Sequence, residues 1–385
     1  MDSKKQYAQF FEKQLLGRYI TLNHIKPILD ILPSFCKISV VGHSVLDKEI
    51  ISIQLGHGVK KVLIWSQMHG NETTTTKAIF DFLGFLSHKT TSKEVVNKFL
   101  GTYTLTILPI LNPDGAEAYT RNNAKDVDLN RDAQDQTEPE SVVLSSVFKA
   151  FSPDLCLNMH DQRTIYGLES GLPATISYLA PSADKDRTIT SARKEAMEII
   201  ASLFLNASSE VKNQIGRYDD GFNKNCVGDT FQMAGVPTIL FEAGHYENDY
   251  QREITRKHIC FALLDLFKIN SNAGNPSIDI YNAIPENKKN YKDVLIKNVK
   301  LPKENSFQTI AVQFVENLLD NKIVFTPTID AIGSLTDVYG HLEVDANGSE
   351  VLINSHDKIT IGQKVLHIID KNNPNTTFFS IDSFS

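Results

Sequence analysis

The sequence is poor in cysteine. Cys36, Cys156, Cys226 and Cys260 stand far apart and form no C-x-x-C pair. That spacing argues against a thiolate zinc site or a dithiol redox motif. Each cysteine reads instead as a small buried hydrophobe. A basic excess is also missing. Thirty-nine Lys and Arg against 46 Asp and Glu leave a net charge of -7. No positive surplus is available to displace counterions from a nucleic acid, so no nucleic-acid partner is expected. Long hydrophobic runs are lacking too. The opening MDSKKQYAQFFEKQLLGRYI has no signal-type apolar core, because Glu12 and Lys13 interrupt its only hydrophobic stretch. Nothing approaches the length of a membrane span. The expectation is a soluble, cytoplasmic protein with no membrane partner. There is no G-x-S-x-G elbow, no P-loop and no G-x-G-x-x-G opening a helix, so serine hydrolases and nucleotide enzymes lose their usual signatures.

What is present is enough chain, 385 residues with 41% apolar content, for one large or two unequal domains. Residues 1–35 read as polar and helical, with Pro33 ending the last piece. Strand-like runs follow at 37–41, 50–55, 61–67, 103–111, 154–159 and 237–243. Helical patterns stand after Gly70, around 138–150, over 184–206, and from about 244 to 267. Strands that alternate with helices and read as nearly continuous apolar runs indicate an α/β domain, with a mixed, mainly parallel central sheet flanked by helices. The stretch 271–290 is rich in Asn, Pro and Ser and reads as a linker. Beyond it, short alternating runs punctuated by Gly340, Gly348 and Gly362 predict a small all-β domain over 291–385. The first domain is thereby bounded at 1–270.

Candidate chemistry gathers where predicted strands end. In a parallel sheet that is where functional groups collect. His69 and Glu72, three apart just after a strand, are placed to reach one metal ion from a turn entering a helix. The same pattern also describes a polar helix start, with Glu72 favourable in the first turn. NPDG (112–115), Arg121 and VDLNRD (127–132) read as turns. Asn130-Arg131 beside Arg121 equally offers a set of donors suited to a carboxylate. His160 ends the strand in NMHDQ, and Glu242 interrupts the apolar strand ILFEA. A carboxylate there needs a metal, an arginine or a raised pKa to account for it.

The order H-x-x-E, NPDG, R…DLNR, a lone His at a strand end and a Glu on a late strand resembles the zinc carboxypeptidases related to carboxypeptidase A. The likeness runs from about residue 60 to 245. It implies one zinc per chain held by His69, Glu72 and His160, with Asp128 fixing the ring of His69. It further implies Glu242 as general base and then general acid, and Arg121 as the group that polarises the scissile carbonyl. Asn130 and Arg131 would grip the free carboxylate of a peptide substrate. Tyr218 in GRYDDGF is the candidate for the tyrosine that such enzymes place over the substrate, with a buried or stacking role as the alternative. The specificity pocket is expected to be lined from about 222 to 236. There Asp229 reads as a helix cap, or as a selector of cationic side chains. His245 and His258 are not expected to be ligands.

Three readings of function follow. The leading one is a carboxypeptidase that releases a C-terminal residue. The second is an amidase or deacylase acting on an N-acyl amino acid or a cell-wall peptide. It draws on the trailing β-domain, which is similar in kind to that of the succinylglutamate desuccinylase and aspartoacylase branch. The third is a catalytically inactive binding protein that keeps the pocket.

Overall fold

The computed structural model describes residues 6–269, 274–301 and 306–384. Contacts divide the chain into two compact units. The first comprises 1–162 and 174–287, the second 163–173 and 288–385. Among the described residues no helix is long and apolar enough to cross a membrane.

The first unit is built on an eight-stranded sheet. Its strands are β1 (Cys36–His43), β2 (Glu49–Gly56), β3 (Lys60–Ser66), β4 (Tyr103–Leu108), β5 (Leu155–Asp161), β6 (Ile176–Leu179), β7 (Ile215–Arg217) and β8 (Thr238–Ala243). Their spatial order is β1-β2-β4-β3-β5-β8-β6-β7. The centre, β4-β3-β5-β8, is parallel throughout. β1 and β2 are antiparallel, β2 is antiparallel to β4, and β6 is antiparallel to β8. The sheet is therefore mixed with a parallel core, as the apolar runs indicate. Two expected strands are trimmed for local reasons. The run 103–111 ends at Leu108 because Pro109 brings no N–H to the ladder. The run 61–67 ends at Ser66 because Gln67 takes a left-handed backbone, φ 48°.

Alternation along the strands sends successive side chains to opposite faces. Leu157, Met159, Ile239, Phe241 and Ala243 belong to the larger core, which contains apolar residues of the helices Thr74–Ser87, Ser191–Asn206 and Glu253–Leu266. Leu63, Trp65 and Cys156 belong to a second core with Val143 and Leu144 of the helix Pro139–Phe151 and Phe231 of the helix Val227–Met233. Cys156 is thus a small buried hydrophobe, as is Cys260 in the larger core.

Residues 12–20 are bound through their backbone. Carbonyls of Glu12 and Leu15 accept from Arg256, and that of Gly17 from Lys77. Those of Arg18 and Ile20 accept from Thr73 Oγ1 and Gln67 Nε2. This strap has little regular structure between the helices Tyr7–Phe10 and Leu22–Leu29.

The stretch expected to be a linker differs. Residues 270–273 lie outside the described set, but Ile278–Asn282 forms a helix in the first unit. Tyr281 is buried there, and its hydroxyl accepts from the Ala180 N–H. Pattern analysis misses it because one short turn of helix shows no periodicity. The second unit begins at Lys288 and also takes in 163–173, a segment inserted two residues after β5. It holds β9 (Tyr291–Val299), β10 (Gln308–Leu319), β11 (Lys322–Gly333) and β12 (Tyr339–Asp345) in one sheet. A smaller sheet has β13 (Val351–Ile353), β14 (His367–Asp370) and β15 (Thr377–Ser380). Val294, Ile296, Ile310, Val312 and Phe379 fill its apolar core.

Candidate metal centre

Among the described residues, one group of His, Cys, Asp or Glu side chains converges tightly enough to hold a metal ion. It is His69, Glu72 and His160, with ligand atoms all within 4.8 Å of one another. All three residues are buried. His69 and Glu72 come from the turn after β3, closed by the Glu72 N–H donating to the His69 carbonyl at 3.0 Å. His160 sits on β5 directly beside Glu242 on β8 in the parallel register. Both lie on the face opposite Met159 and Phe241, so strand alternation alone brings the two side chains to one side.

The turn is held by the NPDG segment. A Cβ on Gly70 would come within 1.9 Å of the Gly115 carbonyl carbon, so only glycine admits this close approach. Asn112 Oδ1 accepts from the Gly115 N–H at 2.8 Å, and its Nδ2 donates to the Met68 carbonyl at 3.2 Å. Asn112 thereby caps the short helix Pro113–Ala118 and braces the residue before His69. Gln67 braces it from the other side, its Nε2 donating to the Gly70 carbonyl at 2.9 Å.

Proton positions follow from the partners. An ionised Asp128 only accepts, so His69 Nε2–H donates to its Oδ1 at 3.1 Å, and Nδ1 of a neutral ring is left with a lone pair. That Nδ1 lies 2.8 Å from Glu72 Oε1 and 3.1 Å from His160 Nδ1, which in turn is 2.7 Å from Glu72 Oε2. Lone pairs at such distances are reconciled by a shared proton or by a metal ion held among them. His160 Nε2 is also buried without a hydrogen-bond partner. Nitrogen ligands around tetrahedral zinc at about 2.0–2.1 Å stand roughly 3.3 Å apart, close to the observed Nδ1–Nδ1 separation. The donor set fits zinc.

Charge tells the same story. Burial acts to raise the pKa of Glu72, but the charges and hydrogen bonds of His69 and His160 hold it below the usual carboxylate range. Burial disfavours protonated His69, yet Glu72 and Asp128 outweigh it and the pKa rises. For His160 burial prevails over Glu72 and the pKa falls. Asp128, partly desolvated, is held low by His69 and Arg121. Glu242 is pushed well up by desolvation and by the charges of Glu72 and Asp161, with Arg121 opposing.

Residues 22–156 match the zinc carboxypeptidase family. Over that stretch, about a third of its length, the chain is similar to zinc carboxypeptidases. Mouse carboxypeptidase D is 24% identical to it over 151 residues, 33% of this chain and 11% of that protein. Carboxypeptidase 2 of Trichophyton rubrum is 29% identical over 104 residues, 26% of this chain and 19% of that one. The chain thus spans between about a tenth and a fifth of the length of these two relatives. In fold it is similar to a metallo-carboxypeptidase from Burkholderia cenocepacia, with TM-score 0.54 and 16% identity over 65% of this chain and 69% of that one. Bovine thrombin-activatable fibrinolysis inhibitor, solved in complex with tick carboxypeptidase inhibitor, gives TM-score 0.50 and 14% identity over 65% and 97%. The family match ends at 156 and so includes His69, Glu72, Arg121, Asp128, Asn130 and Arg131. His160 and Glu242 lie beyond that stretch and are paired with each other across β5 and β8.

The other expected residues distribute around this centre. Arg121 is half-exposed and bonds Asp128 Oδ2 through Nε and Nη2 at 3.3 and 3.1 Å, and Glu72 Oε1 through Nη1 at 3.3 Å. Asn130 is buried, its Oδ1 accepting from the Val227 N–H at 3.3 Å. Arg131 is exposed, with Nη1 donating to the Asn130 carbonyl. Tyr218 directly follows β7, two strands from β8, with its N–H donating to the Tyr178 carbonyl. His245 packs against Tyr250, and His258 pairs with Glu210 at 3.0 Å, so neither belongs to the converging group. Asp229 is no cap. It stands inside the helix Val227–Met233, with Cys226 at the cap position, and its Oδ2 accepts from the Asn223 N–H at 2.9 Å. The residues that pattern analysis overlooks are Gln67, Asn112 as a brace, and Asp161. The Asp beside His160 in NMHDQ is the one visible signal among them.

Proposed function

We propose that the chain is a metallocarboxypeptidase-type hydrolase that removes the C-terminal residue of a peptide with a free carboxylate. The observation that carries this is the pairing of His160 with Glu242, which sets a partly buried carboxylate of raised pKa beside the His69–Glu72–His160 group. When bound, zinc supplies a Lewis acid that polarises a carbonyl and lowers the pKa of a coordinated water.

In this reading His69, Glu72 and His160 hold the ion and Asp128 fixes the ring of His69. Glu242 takes a proton from the attacking water and returns it to the leaving amine, a task favoured by a pKa moved toward neutrality. Arg121 offers guanidinium hydrogens to the developing oxyanion. Asn130 and Arg131 stand together to orient the substrate carboxylate, for which an exposed planar fork is suited. Tyr218 would serve as a flanking contact to the substrate.

The test is metal content together with Glu242→Gln, assayed on peptides with free and amidated C-termini. The expected result is about one zinc per chain, with the substitution lowering kcat by about 10²–10⁴-fold and leaving zinc bound. Amidation of the C-terminus should abolish cleavage. Zinc binding without peptide cleavage would replace this proposal by an amidase or deacylase acting on N-acyl amino acids. Glu242→Gln with wild-type kcat would remove Glu242 from the mechanism.

A further inference from the structure

The helix that follows Glu72 starts without a cap of its own. Thr73 stands at its N-cap position but makes no side-chain cap, because its hydroxyl donates to the Arg18 carbonyl at 2.9 Å. The first N–H groups of a helix have no partner within it, and burying them unpaired is costly. Here two of them are met from a different element. Asp161 Oδ2 accepts from the Thr74 N–H at 2.9 Å and Oδ1 from the Thr75 N–H at 3.3 Å. Asp161 is itself buried, and its own N–H donates to Glu72 Oε2 at 3.2 Å.

Strand geometry explains how one residue does all this. Successive residues of β5 point to opposite faces, so His160 turns to the metal group while Asp161 turns to the helix Thr74–Ser87. The peptide N–H between them reaches Glu72. We infer that Asp161 is a positioning residue of the metal centre, fastening the helix start that follows Glu72 to the strand end that carries His160. It thereby fixes the separation of two ligands that lie 88 positions apart in the chain. Asp128 acts differently, through the ring of His69 alone. The inference rests on His69, Glu72 and His160 being the zinc ligands.

The experiment uses the full chain with Asp161→Ala and Asp161→Asn. Zinc affinity is read by competition with a chromophoric chelator, and ligand geometry by the visible absorption of the cobalt-substituted protein. Outer groups that orient metal ligands typically change affinity by about 10–100-fold, and a loss of that size is expected for Asp161→Ala, with an altered cobalt spectrum. Asp161→Asn, whose one carbonyl oxygen still accepts an N–H, should fall between. A role confined to fold stability would lower the melting temperature of the metal-free protein but leave the affinity and the cobalt bands of the folded fraction unchanged. That result overturns the inference. Should Asp161→Ala fail to fold, Asp161→Asn decides on the same two readouts. A wild-type chain that takes up no zinc would overturn the metal-centre reading and this inference with it. A variant matching a zinc-binding wild type overturns the inference alone.

Discussion

Two regions of the first unit bury charge, and both touch the helix Thr74–Ser87. At its start lies the His69–Glu72–His160 group. Along its length lies a second cluster of Lys77, Asp81, Glu253 and Arg256. The second is closed. Arg256 donates to both oxygens of Asp81, to Glu253 at 2.9 Å, and to the carbonyls of Glu12 and Leu15. Lys77 spends its three hydrogens on Glu253 and the carbonyls of Gly17 and Gln251. The first region is open, with lone pairs turned toward a common centre and His160 Nε2 without a partner. Burial of charge is thus no mark of function by itself. A site shows as acceptors that the protein has not satisfied, whereas a structural network accounts for its own donors.

That contrast can be tested by breaking each side. The largest effect is expected from Arg256→Met, which leaves Asp81 buried without its cation and should cost about 3–5 kcal/mol in urea unfolding. Zinc bound per folded chain should not change. If zinc is lost from folded protein, the two regions are not independent. Asp128→Asn is next. Asparagine still caps the turn Leu129–Arg131. Its neutral amide, however, is a weaker acceptor for His69 Nε2–H, so zinc affinity should fall about 10–100-fold in a chelator competition while unfolding stability holds. Equal affinity would deny Asp128 any part in the centre.

The smallest effect sharpens the comparison with a case in between. Asp229 is buried and bonded by backbone N–H groups, and desolvation raises its pKa to about 6. The folded state therefore binds the proton more tightly than the unfolded chain does, and the charged form lowers stability above pH 6. Asp229→Asn should stabilise by about 1 kcal/mol at pH 7–8, once screening by nearby water is allowed for. The gain should shrink as the pH falls through 6 and vanish near 4. A gain independent of pH in thermal melts would show that the charge is not its source.

Much of this is legible in the sequence. Continuous apolar runs mark the central parallel strands, because both faces of β3 and β5 are covered by cores. His69, Glu72, His160 and Glu242 stand out because each is a polar residue at or just beyond a strand that otherwise buries apolar side chains. What stays hidden depends on contacts remote in sequence. Asp161 serves a helix 87 positions away, and nothing local to it signals that partner. The helix Ile278–Asn282 is stabilised by burial of Tyr281, not by propensity of its own. The insertion 163–173 carries no compositional sign that it belongs with the second unit. Asp229 looks like a cap because a helix start is legible only to within a few residues.

The strap over residues 12–20 has an evolutionary consequence. It is gripped at its carbonyls, a feature every residue type shares, so its outward positions Lys13, Gln14 and Leu16 are free to drift while the grip persists. Selection acts instead on the gripping side chains of Lys77 and Arg256, and on Leu15, Gly17 and Ile20, which pack or turn the segment. Among descendants of this chain, the strap should be traceable by the persistence of its partners after its own letters have diverged.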